Sequence, residues 1–323
     1  MLRMESDALT EGSVTAGYAA RMPQATLERR AAWIAVTVAI ALMATKIAAY
    51  RLTGSTAVFG DAMESLVNVA ASLLAVWSVW MAHRPADRTH PYGHGKAEFV
   101  SAAIEGGLVV AAAGAVAVKS MSDFGATEAA LTRIDLGVML LVVTVAVNGL
   151  VGGWLLHLGR SGGSAALEAD GVHLLSDAWT SGAAIASLLL VRSTGWQWID
   201  PVIAMVMAVW LVWCGWRVVR RSLGNLMDEQ DQADLVQVQA LLEAHARDGG
   251  PEPRICSFHK VRSRHSGREH WVDFHVELPP ATDLRTAHEL ATRIEDEIEG
   301  ALGGTATAHV EPCRSIDCRR CRP

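Results

Sequence analysis

The sequence predicts a polytopic α-helical membrane protein with six transmembrane helices and a small C-terminal α+β domain. Of its 323 residues, 51% are hydrophobic and only 19% are charged, which is too apolar for a soluble protein of this length. The apolar residues fill roughly positions 31 to 225, whereas the last hundred residues carry most of the histidines. We therefore expect a membrane domain followed by a water-exposed domain.

Six segments are long enough to cross a bilayer, whose apolar core of about 30 Å needs about 20 residues per helix. They run over residues 31–52, 57–82, 97–122, 134–158, 165–192 and 200–221. An even number of spans places both termini on one side. Nine arginines and lysines lie near the helix ends on that side, against four on the other, and cytoplasmic loops are enriched in these residues. We expect both termini in the cytoplasm and the protein in the inner or plasma membrane.

The C-terminal region changes from apolar segments to an alternation of helices and strands. We predict a helix over 231–247, strands over 254–264 and 268–278 joined by a turn at Ser266 and Gly267, a helix over 283–302 and a last strand over 305–312. Every second residue of the middle strand is apolar, which is typical of a strand with one buried face. The order α-β-β-α-β indicates a ferredoxin-like domain.

These elements divide the chain into a flexible cytoplasmic tail (1–25), a membrane domain (26–225), a ferredoxin-like domain (226–312) and a cysteine-rich tail (313–323). The last segment holds Cys313, Cys318 and Cys321 among four arginines, and such surroundings favour the thiolate form. We interpret it as a metal or redox site, with incidental cysteines in an unstructured tail as the alternative. The net charge is −6, and the sequence lacks the basic stripe interleaved with aromatic residues that is typical of proteins that bind nucleic acids.

Two of the predicted membrane helices carry polar triplets with matching spacing. The triplets are Asp61, Glu64 and Asn68 on the second helix, and Asp170, His173 and Asp177 on the fifth. Offsets of 0, 3 and 7 residues fall within about 60° of one another on an α-helix. Each triplet therefore occupies one face of its helix.

Ionisable side chains at the bilayer centre cost about 2.5–3.5 kcal/mol each, or ~10 kcal/mol for Glu64, His173 and Asp177 together. A divalent cation bound by these three residues and Asn68 would neutralise the two carboxylates and offset that cost. Hydrogen bonding between helices is the alternative explanation. His173 can also exchange protons at cellular pH, and metal ligands must be deprotonated to bind. Coupled metal binding and proton release predict an antiporter.

Several stretches resemble the cation diffusion facilitator family over about residues 26 to 312. In the membrane domain they read GSTAVFGDAMESLVN, RPADRTHPYGHGKAE and EADGVHLLSDAWTS; in the tail domain they read SFHKVRSRHSG, WVDFHVELP, TAHELA and AHVEP. The resemblance implies a homodimeric exporter of divalent metals, driven by inward proton flow, with a cytoplasmic ferredoxin-like domain.

The family's transport site uses two ligands four residues apart on helices two and five, which here correspond to Glu64 and Asn68, and to His173 and Asp177. The second pair fits the zinc-type pattern HxxxD. The first pair departs from the family, because Asn68 offers a neutral amide where a carboxylate is usual. We expect zinc as the substrate, with cobalt, iron, nickel, cadmium and manganese as alternatives, and a relay or entry role for protons at Asp61 and Asp170.

The resemblance also implies three features outside the membrane. A loop site for a metal ion corresponds to Asp87, His90 and His94, for which a solvated loop is the alternative. An ion pair between Lys96 and Asp228 is expected to hold the membrane halves together. A cluster at the dimer interface, in which bound regulatory ions are expected, corresponds to His259, His275, His288, His309 and Glu311; surface histidines without a metal are the alternative.

The sequence thus predicts proton-coupled export of divalent transition-metal cations from the cytoplasm. A membrane-bound metal sensor without transport is the alternative function. An intramembrane metalloenzyme is disfavoured because the sequence lacks an HExxH motif, since His288 and Glu289 are not followed by a second histidine at the required spacing.

Overall fold

The computed structural model describes residues 34, 36–124, 131–162, 165–247, 254–267 and 269–313. The predicted N-terminal tail (1–25), Cys318 and Cys321 lie outside these residues. Asp170 lies in a helix, within a short stretch whose side chains are also outside the description.

Within the described residues, six apolar helices are long enough to cross a membrane, as predicted. Their bounds are α1 Val36–Thr53, α2 Thr56–Ala82, α3 Ala97–Phe124, α4 Ile134–Gly162, α5 Ala165–Thr194 and α6 Ile199–Leu226. Gly54 turns the chain between α1 and α2 with φ of +70°, and its N–H donates to the Tyr50 carbonyl at 2.8 Å. A glycine suits this position because residues with a Cβ avoid positive φ.

The chain forms two compact units, one of Met1–Ser72 with Gly106–Trp216 and the other of Leu73–Glu105 with Arg217–Pro323. The first unit has an apolar core that includes Val58, Val116, Leu141 and Leu188. Large apolar side chains on the outer faces of the helices are exposed, as expected for surfaces that contact lipid.

Glycines let α4 and α5 approach closely in the first unit. A Cβ added to Gly171 would lie 2.6 Å from the Leu156 nitrogen and 2.8 Å from the Gly152 carbonyl oxygen. Small residues at such crossings permit the backbone contact that drives helix association in membranes. The crossing lies six residues before Asp177 on α5, so it fixes the position of the helix that carries this carboxylate.

The tail domain belongs to the second unit and has the predicted α-β-β-α-β order. Its elements are α7 Gln232–Ala246, β1 Ser257–Ser266, β2 Glu269–Leu278, α8 Leu284–Leu302 and β3 Thr305–Pro312. The sheet order is β1-β2-β3, with β1 antiparallel and β3 parallel to β2. The predicted buried face of β2 is confirmed, because Val272, Phe274, Val276 and Leu278 are buried in one core with residues of α7 and α8.

The strand β1 differs from its predicted form in two ways. It begins at Ser257 rather than at residue 254, and its pairing with β2 is irregular between His259 and Arg262. Lys260 has φ of +52° at this bulge. A bulge adds a residue to one strand and re-aims its side chains, so the alternation along β1 is broken where the sequence predicts a regular strand.

The loop between α2 and α3 packs against the β1–β2 hairpin within the second unit. The rings of Tyr92 and Trp271 meet edge to face with centroids 5.0 Å apart. Gly95 lies so close to the Ser266 carbonyl that a Cβ would overlap it. The loop that carries the predicted loop site is therefore held on the tail domain.

Candidate metal centres

Asn68 and Asp177 meet between α2 and α5. The Asn68 Nδ2 donates a hydrogen bond to the Asp177 Oδ1 at 3.0 Å, and Asp177 is 7% exposed. Glu64 lies one turn before Asn68 on the same face of α2, and its Oε2 is buried with no hydrogen-bond partner among the residues described. An unpartnered buried carboxylate oxygen is costly, so this oxygen marks a position where a bound cation would be favourable.

His173, the fourth predicted ligand, is exposed. It lies one turn before Asp177 on α5, about 40° away around the helix axis. Within the described parts of the chain, it belongs to none of the groups whose ligand atoms lie together. The structure thus brings Asn68 and Asp177 into contact and leaves His173 outside that contact.

Asp61 is engaged by a lysine on the preceding helix. Its Oδ1 lies 2.7 Å from the Lys46 Nζ, and both side chains are fully buried. The Ser181 hydroxyl lies 3.0 and 2.9 Å from the two carboxylate oxygens, and the Thr180 hydroxyl lies 3.3 Å from Oδ1. The pair joins α1 to α2, and the hydroxyls join both to α5.

Sequence analysis missed this pair. The available signal was a lysine in one apolar helix and an aspartate in the next, because a buried charge requires a partner. Lys46 balances the charge of Asp61, which leaves Glu64 and Asp177 as the carboxylates that a divalent cation would neutralise. The relay role of Asp61 stays a prediction; its contacts are those of a residue that positions helices.

A second buried carboxylate fixes the N-terminus of α2. Asp200 accepts hydrogen bonds from the hydroxyls of Ser55 and Ser187 and from the Thr56 N–H. A carboxylate at a helix N-terminus is favoured because it meets unpaired N–H groups and the positive end of the helix dipole. Asp200 thereby ties together the ends of α2, α5 and α6, which determines how α2 and α5 face each other.

The predicted loop site is assembled in the second unit. The His90 Nδ1 lies 3.1 Å and the His94 Nε2 lies 3.5 Å from oxygens of the Asp87 carboxylate, and the three residues form a group able to hold a metal ion. A hydrogen bond from the Thr89 hydroxyl, with backbone bonds from Thr89 and His90, lowers the pKa of Asp87. The carboxylate is therefore ionised at neutral pH, as a metal ligand must be.

Lys96 and Asp228 also lie together, with the Nζ 2.8 Å from the Oδ1. The same carboxylate lies 3.7 Å from an Arg264 guanidinium nitrogen. Each member of the Lys96–Asp228 pair is 39% exposed, so the pair is worth only about 0–1 kcal/mol. It connects the start of α3 to the chain just after α6.

The tail cluster is arranged across the sheet. His259, His275 and His309 occupy neighbouring positions on β1, β2 and β3. The His275 Nδ1 lies 2.8 Å from the Glu311 Oε1, and His259 and His309 approach the same carboxylate at 3.7 and 3.6 Å. The hydrogen bond from His275 lowers the pKa of Glu311. His288 is exposed on α8 and lies outside the group formed by His259, His275 and Glu311.

Two further groups lie outside this pattern. Cys313 is buried after β3, and its N–H donates to the Leu278 carbonyl at 2.8 Å; with Cys318 and Cys321 outside the described residues, the cysteine site stays a prediction. Asp234, His265 and His270 form a group able to hold a metal ion, and the sequence patterns did not single it out.

Six apolar helices that bury carboxylates, together with a histidine-rich α+β domain, define an integral membrane protein of the cation-transporting class. The family model of the cation efflux transmembrane domain matches residues 32–227. The model of the cation efflux protein cytoplasmic domain matches residues 250–313. The chain therefore belongs to the cation efflux family, also called the cation diffusion facilitators. Its members export metal cations and are transporters rather than enzymes.

Relatives match nearly the whole chain. An uncharacterized transporter of Synechocystis is 34% identical over 289 residues, covering 89% of this chain and 91% of its own. The cation-efflux pump FieF of Serratia proteamaculans is 29% identical over 298 residues, covering 90% and 95%. Among solved structures, the zinc form of the putative zinc transporter CzrB is 27% identical with a TM-score of 0.23, covering 25% of this chain and 86% of that one.

Proposed function

We propose that the protein exports a divalent transition-metal cation, zinc in the first place, from the cytoplasm in exchange for protons. Its membership of the cation efflux family supports export of a metal cation. The choice of zinc rests on the donors, because imidazole and carboxylate suit zinc and no thiolate is present among the four proposed ligands.

The observation that carries the proposal is the buried Glu64 Oε2, which has no hydrogen-bond partner among the described residues and lies one turn along α2 from the Asn68–Asp177 contact. The charges support it. Asp61 is balanced by Lys46, so Glu64 and Asp177, once they have lost their protons to the incoming ion, would supply the two negative charges that match one dication. Asn68 would contribute its amide oxygen in place of the hydrogen bond that it now donates.

His173 is proposed as the fourth ligand and the group that couples metal to protons. It shares a helix face with Asp177, and movement of the first turns of α5 toward α2 would bring its imidazole to the ion. Its exposed position gives water access to the ring. Binding the ion requires the neutral ring, and protonation releases the ion.

We further propose that the protein works as a homodimer in the inner or plasma membrane, with both termini in the cytoplasm. The match to the family's cytoplasmic domain model supports dimerisation through the tail domain. Ions bound by His259, His275 and Glu311, and by Asp87, His90 and His94, would regulate rather than be transported. The ligand groups assembled at both places support metal binding there.

Reconstituted vesicles test this function directly. Purified protein in proteoliposomes that contain a pH dye is given zinc, cobalt, iron, nickel, cadmium or manganese, and metal and proton fluxes are recorded together. We expect zinc-driven proton movement with wild type and its loss with Asp177→Asn. The His275→Ala variant is the control, because it removes a tail ligand and leaves the membrane site intact.

The same experiment separates the exporter from a sensor that does not transport. An exporter loses flux with Asp177→Asn and retains most of it with His275→Ala. Metal flux without proton movement would refute the antiport mechanism. Full flux in Asp177→Asn would refute the assignment of the transport site.

A further inference from the structure

Three potential metal ligands converge where α7 packs on the β1–β2 hairpin. His265 and His270 are paired across the hairpin, and the centroids of their rings lie 4.3 Å apart. Asp234 reaches them from the first turn of α7, and it is 7% exposed. The three come from separate elements, and only the packing of the domain brings them together.

Their ligand atoms point at one another. The Asp234 Oδ2 lies 2.7 Å from the His270 Nδ1 and 3.2 Å from the His265 Nε2. The His265 Nε2 is buried, and it has no aligned hydrogen-bond partner among the described residues. A buried ring nitrogen without an aligned hydrogen bond is unfavourable, and a cation between it and Asp234 would remove that cost.

Asp231 places a further carboxylate beside His265. Its Oδ2 lies 3.5 Å from the His265 Nε2, while its Oδ1 caps α7 by accepting from the Ala233 N–H at 2.7 Å. One oxygen fixes the helix start and the other remains directed at the cluster.

The donor spacing fits a small tetrahedral ion. With zinc–nitrogen and zinc–oxygen bonds of about 2.0–2.1 Å, neighbouring ligand atoms in a tetrahedron lie about 3.3 Å apart. The observed separations of 2.7, 3.2 and 3.5 Å bracket that value. Two imidazoles with one or two carboxylates also suit zinc better than magnesium or calcium, which prefer oxygen ligands.

We propose that His265, His270 and Asp234, with Asp231 as the fourth donor, form a further binding site for zinc or a similar divalent cation. The ion would fasten the start of α7 to the β1–β2 hairpin. The site differs from the His259–His275–Glu311 cluster, because five to six residues of strand separate them, or about 16–20 Å. The proposal of this site does not depend on the proposed transport function or on the proposed membrane ligands.

Zinc binding to the full-length protein in detergent tests the site. The background variant carries Asp177→Asn, His94→Ala and His275→Ala, so that the transport site, the loop site and the His259–His275–Glu311 cluster each lack a ligand; the cysteine-rich tail is the same in every variant and cancels in the comparison. After chelator treatment, zinc is titrated by calorimetry and counted per chain. We expect His265→Gln in this background to bind one fewer zinc ion per chain, or to bind the last ion at least tenfold more weakly.

The control is Asp296→Asn, which removes an exposed carboxylate of α8 that lies outside every ligand group of the described residues and is expected to leave the zinc count of the background unchanged. Cobalt provides a second readout, because its visible absorption reports tetrahedral nitrogen and oxygen coordination; that band should be lost with His265→Gln. Circular dichroism checks folding, and His270→Asn replaces His265→Gln if the latter does not fold.

An ordinary hydrogen-bonded Asp234–His270 pair would give a different result. Zinc count, affinity and cobalt spectrum would then be the same in the background and in the variants. That result overturns the proposed site, and because transport is not measured, it leaves the proposed function untouched.

Discussion

The Lys46–Asp61 ion pair allows a direct test of how the helices around the candidate transport site are held. Replacing Lys46 by methionine keeps the apolar stem and removes the ammonium group, which leaves the Asp61 carboxylate buried without its counter-charge. Removing one partner of a buried ion pair costs about 3–5 kcal/mol. Asp61 retains the hydroxyls of Ser181 and Thr180, so we expect the lower end, about 3 kcal/mol.

The free energy of unfolding is measured by titrating purified protein from a mild detergent into dodecyl sulfate and following tryptophan fluorescence. The double variant Lys46→Met with Asp61→Asn should recover most of the loss, because no unpaired charge remains. Lys119→Met is the control. It breaks a membrane-helix pair with Asp123 at 2.9 Å whose members are about one quarter exposed, and such a pair contributes about 0–1 kcal/mol. Equal losses in the single and double variants would refute the charge argument.

Three further predictions concern other parts of the molecule. Gly171→Ala should lower the free energy of unfolding by about 1–3 kcal/mol through overpacking at the α4–α5 crossing, whereas Gly182→Ala on the same helix, which meets open space, should not. Asp283 caps α8, and a hydrogen bond from the Thr286 hydroxyl lowers the pKa of this carboxyl. The ionised carboxylate therefore stabilises the folded protein above its unfolded-state pKa, and this stabilisation is lost as the pH falls through the lower folded-state pKa. The melting temperature of the Asp283→Asn variant should therefore fall less than that of wild type between pH 5 and pH 2. The same fall in both proteins would contradict the capping role of the Asp283 carboxylate. Asn68→Asp should change the ranking of transported metals in proteoliposomes, because a third carboxylate strengthens the attraction for hard cations; an unchanged ranking would show that Asn68 does not select the metal.

The architecture could be predicted because it depends on patterns among residues that are close in the sequence. Length and hydropathy of the apolar segments set the six helices, and alternation along β2 identified its buried face. The bulge in β1 was missed because Lys260 adopts positive φ, which its residue type does not favour.

The candidate sites could be predicted only in part. Matching triplets identified the faces of α2 and α5, and Asn68 and Asp177 do meet there. Helical periodicity gives the direction of a side chain but not whether a neighbouring helix covers it, so it did not indicate that His173 is exposed. The Lys46–Asp61 pair and the Asp234–His265–His270 group depend on how separate elements pack. Opposite charges in consecutive apolar helices hinted at the first, whereas no local pattern pointed to the second.

The central claim is that α2 and α5 bind the transported ion between Glu64, Asn68 and Asp177. Zinc-edge anomalous diffraction from crystals of the full-length protein grown with zinc tests it most directly. The account predicts a peak between the two helices, about 2.0–2.2 Å from carboxylate oxygens of Glu64 and Asp177. Zinc peaks confined to the loop and tail-domain clusters, with Asn68 still hydrogen-bonded to Asp177, would contradict it.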